Sequence, residues 1–128
     1  MPEQEKPVFL VDAQSDAAIL KIRGRANYLN CTPVGPVLEQ LIRQGKREIV
    51  VDFAQCESMD STFLGILAGA AIQLRQADPP GNLILCRISS RNLELVRNLG
   101  LHRLTQVDAG DFPMSFDEEH SHPIQPED

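Results

Sequence analysis

Short runs of branched apolar residues alternate along this chain with segments whose apolar residues recur at helical spacing, and no other feature restricts the fold as strongly. Val8-Phe9-Leu10-Val11 and Ala18-Ile19-Leu20-Lys21-Ile22-Arg23-Gly24 read as strands joined by the polar turn Gln14-Ser15-Asp16. Glu48-Ile49-Val50-Val51-Asp52-Phe53 carries three consecutive branched residues, which marks a strand covered on both faces and therefore central in a sheet. Asn82-Leu83-Ile84-Leu85-Cys86 supplies another buried strand and Leu104 to Val107 a weak last one. Between them, Val34, Val37, Leu38, Leu41 and Ile42 follow the i, i+3, i+4, i+7, i+8 pattern of a surface helix stopped at Gly45. Phe63, Leu67, Ala70 and Leu74 form one line of a helix over Ser61 to Ala77. Leu93, Val96 and Leu99 share one side of a third helix, capped by Ser89 or Ser90 and ended by Gly100. The order of two strands and then alternating helices and strands predicts an α/β fold: a mostly parallel mixed sheet of five to six strands with right-handed crossovers, covered by three to four helices.

Two local features qualify this pattern. Thr32-Pro33 reads as a cap and first helical position, but Pro36 would remove the first intrahelical bond, which moves the expected start to about Gly35. In the second helix each of Gly65 and Gly69 costs about 1 kcal/mol against Ala, and close approach of that face to the sheet is the expected compensation.

A chain of 128 residues is long enough for one core and too short for two. The net charge of −6 is not spread evenly. Met1 to Val107 holds 11 acids and 12 bases, a body of +1, whereas Asp108 to Asp128 holds seven acids and no Lys or Arg. A domain over 1–107 followed by an acidic, Pro-containing tail over 108–128 is expected, with Phe112, Met114 and Phe116 available to tether the tail's start. A near-neutral body gives no footprint for nucleic acid or anionic lipid. Cys31, Cys56 and Cys86 form no CxxC pair and read as reduced thiols. The polar start Met1 to Pro7 and a longest uncharged run of 14 residues predict a soluble cytoplasmic protein without membrane insertion.

Chemistry concentrates in Cys56-Glu57-Ser58-Met59-Asp60-Ser61-Thr62-Phe63-Leu64-Gly65, between the central strand and the best helix. Ligands and switches of open α/β sheets favour that location. By local sequence alone, Asp60 or Ser61 reads simply as an N-cap. The run Ile49-Val50-Val51-Asp52-Phe53 through Met59-Asp60-Ser61-Thr62-Phe63-Leu64-Gly65-Ile66-Leu67 resembles the signature of STAS domains, the anti-sigma factor antagonist family, in which Asp-Ser-Ser/Thr-Gly-Leu-Gly follows an aliphatic strand. Gly24, the strand at Leu83 to Cys86 and Leu99-Gly100-Leu101 extend the similarity over about Val8 to Val107.

The resemblance implies a switch and no catalysis, cofactor or metal. In the family's antagonists the Ser after the Asp is phosphorylated by an anti-sigma factor that is also a serine kinase, and a phosphatase can reverse the modification. That position is Ser61 here, with Thr62 as the alternative hydroxyl, and a partner-facing set of Asp60, Ser61, Thr62, Phe63, Asn27 and Tyr28 follows. A monomer or weak dimer is expected. Two departures stand out: Phe63 replaces the common Gly, and Arg25-Ala26-Asn27-Tyr28 replaces a more acidic segment. Since some STAS domains work without a phosphate cycle, the alternative is an accessory subunit of a signalling complex or transporter.

Other constellations are weaker. Asp60, Ser61 and His102 lack the GxSxG elbow of a hydrolase, and His120-Ser121-His122 lies in the acidic tail without a scaffold for metal. Gly65 and Gly69 lack the GxxxxGK context of a phosphate cradle, and Cys56 reads as inert filling at a strand's end. Tyr28 and Phe63 are readable either as exposed anchors or as core.

Overall fold

The computed structural model describes residues 7–108 and 115–124. Its strands are β1 (Phe9–Ala13), β2 (Ala17–Ala26), β3 (Glu48–Met59), β4 (Asn82–Cys86), β5 (Gln106–Asp108) and β6 (His122–Pro123). The helices are α1 (Val34–Arg43), α2 (Ser61–Gln76) and α3 (Ser90–Asn98), with a 3-10 turn at Leu101–Arg103. The sheet runs β5-β4-β3-β2-β1-β6, parallel from β5 to β2 and antiparallel from β2 through β1 to β6. The expected mixed α/β architecture is therefore present, with β3 and its branched run Ile49-Val50-Val51 at the centre.

Alternation along the strands divides the sheet into two chemically different faces. Val11, Leu20, Val51 and Leu85 lie opposite one another in register and point into the main core beneath α1 and α2. Leu38, Leu67 and Leu74 fill it from the helices, all almost fully excluded from solvent. On the other face Asp12, Ile19, Val50 and Ile84 form one row, and Leu10, Lys21, Asp52 and Cys86 the next. Here Ile19, Val50, Ile84 and Cys86 make a small apolar cluster against which Phe116 packs. Buried Asp52 is held in place by Arg87, which donates from Nε to Oδ1 (3.1 Å) and from Nη2 to Oδ2 (2.6 Å).

Several local expectations are corrected. Helix α1 starts at Val34, because Pro36 falls in the first turn, where the backbone N–H has no intrahelical partner to lose. Strand β3 continues to Met59, since Arg25 and Ala26 of β2 pair with Ser58 and Met59, so the switch segment is strand almost up to the helix. Leu99, expected on the buried side of α3, is 52% exposed beyond the last turn, and Leu101 takes a core position instead. Gly65 and Gly69 do not approach the sheet: a Cβ at either would meet open space. The last main strand is Gln106–Asp108 rather than Leu104 to Val107. Of the expected tail, residues 115–124 return to the sheet, where Val11 pairs with His122 and Leu10 with Pro123. Phe116 does pack on the body, while Phe112 and Met114 lie outside the described residues.

Candidate functional site

The candidate site is assembled where β2 and β3 end together. The parallel pairing of Ala26 with Met59 brings the β2–α1 loop, residues 27–33, beside the start of α2. Asp60 joins the two. Its backbone is extended (φ −120°, ψ 177°), as an N-cap requires, and its Oδ1 accepts the Phe63 N–H at 3.1 Å. Its Oδ2 accepts the Tyr28 N–H at 2.8 Å, and its own N–H donates to the Ala26 carbonyl at 3.1 Å. The loop is further closed by Asn27, whose Oδ1 accepts from Leu29 N–H and whose carbonyl accepts from Cys31 N–H. Asn30 completes it, donating from Nδ2 to the Arg25 carbonyl at 2.7 Å. The short polar side chains here serve the backbone, which is why so irregular a segment holds one shape.

Ser61 and Thr62 follow at the first two helical positions, both exposed, and neither hydroxyl is engaged by another of the described residues. Their N–H groups belong to the first turn and have no intrahelical acceptor, while no acidic residue occupies that turn. The tip of α2 therefore keeps unpaired N–H groups and partial positive charge, offset in part by the Asp60 carboxylate at the cap, beside two free hydroxyls. Tyr28 (65% exposed) and Leu29 (75% exposed) stand next to them as the large apolar side chains most open to solvent among the described residues.

Phe63 departs from the expectation of a partner-facing ring. It is fully buried and packs on Phe9, ring centroids 5.6 Å apart. The third residue of this helix points to the sheet, so a large side chain is absorbed by the core and leaves the outer surface to Ser61 and Thr62. The site thus unites Asp60, Ser61, Thr62, Asn27 and Tyr28 and excludes the Phe63 ring. His102 sits in the 3-10 turn after α3 and makes no hydrogen bond to Asp60 or Ser61 among the described residues.

Two features escaped sequence reasoning. No motif marks Leu29, whose signal is only that it is an apolar residue between Tyr28 and Asn30 in a polar loop. The second is a groove of about 310 Å³ between α1 and α2, bordered by Gly35, Pro36, Gly65, Ile66 and Gly69, one turn along α2 from Ser61. Its glycines were visible, but helical periodicity alone did not show that they face away from the sheet.

Desolvation raises the Cys56 thiol to about 11, so at neutral pH it stays protonated and is a poor nucleophile. Among the described residues no group of three or more His, Cys, Asp or Glu could hold a metal ion, and no helix is long and apolar enough to cross a membrane.

A fold of this order with an Asp-capped, hydroxyl-bearing helix tip defines a class of small α/β domains. The STAS domain family, in the form described for Mlab, matches residues 9–106, and the chain belongs to that family. Among solved structures it is similar to a putative anti-sigma factor antagonist from Thermotoga maritima, with a TM-score of 0.68 and 19% identity over 77% of this chain and 84% of that one. An anti-sigma factor antagonist from Mycobacterium paratuberculosis gives a TM-score of 0.67 and 15% identity, covering 85% of this chain and 87% of the other. The Bacillus cell fate determinant SpoIIAA in its phosphorylated form gives 0.64 and 18%, covering 79% and 91%. At these identities the likeness is one of fold.

Proposed function

We propose that this STAS domain is a cytoplasmic partner-binding regulator, a monomer or weak dimer, that docks an anti-sigma factor with serine kinase activity and is switched by phosphorylation of Ser61, with Thr62 the alternative acceptor. One observation carries the reading: two unengaged hydroxyls stand outward at the tip of α2, while their neighbours Asp60 and Phe63 are committed to the fold. The docking surface is Asn27, Tyr28, Asp60, Ser61 and Thr62, and the α1–α2 groove extends it. Transfer of the γ-phosphoryl group of ATP to the Ser61 Oγ releases ADP and the hydroxyl proton, and a phosphatase resets the site by hydrolysis. The phosphorylated Bacillus neighbour supports a modified form of this fold.

Phosphate adds about −1.5 to −2 charges and three acceptor oxygens. The helix tip tolerates them, because its free N–H groups and partial positive charge favour an anion, and the neighbouring Asp60 carboxylate opposes the change only in part. A partner packed against a neutral hydroxyl does not tolerate them, since desolvating an unanswered dianion costs several kcal/mol. The domain therefore keeps its fold while its affinity changes. Incubation with the cognate kinase and ATP, followed by mass-spectrometric mapping, should place label on Ser61 or Thr62; label on neither would end the phosphoswitch reading. Ser61→Asp should weaken partner binding about tenfold or more, equivalent to about 1.4 kcal/mol, with little change in thermal midpoint.

A second reading, an accessory subunit that binds its partner without a phosphate cycle, draws on the Mlab description of the matching family and on the Arg25-Ala26-Asn27 segment. Tight binding indifferent to both Ser61→Ala and Ser61→Asp would select it.

A further inference from the structure

The helix-free face of the sheet is occupied by a segment of the chain itself. Strands β5 and β6 lie at opposite edges, and between them Ser115 to Glu118 rest on that face. Phe116 sits on Ile19, Val50, Ile84 and Cys86, and the Lys21 Nζ lies 5.0 Å from its ring centroid. Glu118 pairs with Arg23 Nη2 and stands 3.9 Å from Lys21 Nζ. The buried carboxylate of Asp12 accepts the Asp117 N–H at 2.9 Å, and Gln14 Nε2 donates to the Ser115 carbonyl at 3.0 Å. His122 and Pro123 then cover the outer edge of β1, and Ile124 N–H donates to the Phe9 carbonyl at 2.9 Å.

We propose that this face, together with the outer edge of β1, is a peptide-binding site for an extended partner segment carrying an aromatic ring followed by carboxylates, and that residues 115–124 are its resident ligand in cis. The site beneath is rigid, built on the central strands, and has three distinct elements of recognition. An aliphatic seat accepts the ring, Lys21 and Arg23 accept the carboxylates, and a strand edge accepts the backbone by β-augmentation. The resident fills it loosely. Its β6 has two residues, one a proline that can donate no ladder bond, and the Glu118 side chain is 62% exposed, so its ion pairs contribute little. Arg23 also keeps its Nε buried and without a hydrogen-bond partner, because Glu118 takes only Nη2. A partner carboxylate that engages both nitrogens in a fork makes the bond that the resident leaves unmade. This makes the segment displaceable by a ligand of its own chemistry, at an apparent affinity lowered by the fraction of time the site is open. The site is distinct from the α2 tip, and its test does not depend on phosphorylation.

The experiment uses a fluorescent synthetic peptide with the sequence of Ser115 to Ile124 and three full-length chains. Phe116→Ala/Glu118→Lys, which weakens the resident, should bind the peptide at least about tenfold more tightly than the wild type. Adding Lys21→Glu/Arg23→Glu to that chain should abolish binding. Equal affinity for the first two chains, or binding that survives charge reversal, overturns the proposal. Should the altered chains fail to fold, excess peptide added to the wild type should shift the Ile19 and Ile84 methyl resonances and release the Ile124 amide to faster hydrogen exchange. Absence of both changes overturns the proposal, as does concentration-dependent self-association of the wild type through residues 115–124, which would assign the face to a second copy.

Discussion

The two faces of the sheet have the same backbone and different jobs. Beneath α1 and α2, aliphatic side chains from the sheet and the helices interlock with almost no exposure, so any change of volume is felt. The opposite face holds five apolar side chains in rows with Asp12, Lys21 and Asp52, and its cover is one segment of the chain's own acidic end. Stability is concentrated on the first face. The second has polar partners that solvent can replace, which leaves it free to exchange one cover for another.

The sharpest way to break this contrast is Phe63→Ala. If the ring belongs to the helix-covered core, its loss should cost about 3–5 kcal/mol in chemical denaturation. A loss below about 1 kcal/mol would return Phe63 to the surface. Phe116→Ala, on the other face, should cost under about 2 kcal/mol because the ring is only half-buried, and amides of β3 should keep their exchange protection. Asp60→Ala should cost about 1 kcal/mol by removing the cap, and should speed exchange at the Tyr28 and Phe63 amides together. Gly69→Ala should instead stabilise α2 by about 0.5–1 kcal/mol, since a Cβ there meets open space; destabilisation would mean that the glycine is needed for packing.

Two measurements sharpen the contrast without touching the core. Burial pushes the Cys56 and Cys86 thiols up to about 11, so both should resist alkylation at neutral pH. In the Phe116→Ala chain Cys86 alone should become faster, because only its face has been uncovered. The smallest effect belongs to the Asp117–His120 pair in the covering segment. Hydrogen bonding to Asp117 raises the His120 imidazolium above its ordinary 6.5, and the same contact holds Asp117 below 3.8. The histidine's contribution is full below 6.5 and disappears as pH rises through its raised value. That of the aspartate is full above 3.8 and disappears as pH falls through its lowered value. The turn should therefore be tightest between these limits, which a titration of the His120 ring resonances followed in parallel with the Ser121 amide would check.

Much of this was legible in the residues, for identifiable reasons. Ile49-Val50-Val51 marked a central strand because a run of branched side chains suits only a strand covered on both faces, and Ser89 and Gly100 marked the ends of α3 by capping chemistry. Asp60-Ser61-Thr62 was recognisable as a helix start for the same reason. What stayed hidden depended on three dimensions. Period-3.6 counting placed Phe63 on the apolar line with Leu67, Ala70 and Leu74, and only the family resemblance added it to the partner-facing set, while nothing in the spacing showed that Gly65 and Gly69 face away from the sheet. The acidic composition of residues 108–128 suggested a tail, yet Lys21, Arg23 and the open face that would receive it were distant in sequence. Strand β3 was cut short because Cys56 to Met59 lacks β-like alternation and owes its extension to pairing with β2.

The two oxygens of Asp60 answer to different segments, one to the first turn of α2 and one to the loop at Tyr28. That carboxylate works as a rivet. Leu29 and Ser61 are held at a fixed separation before any visitor arrives, and little of the ordering cost that mobile loops impose on association is left to meet. It also means that force applied at one plate is transmitted to the other: whatever pulls the loop away strips the helix of its cap in the same movement.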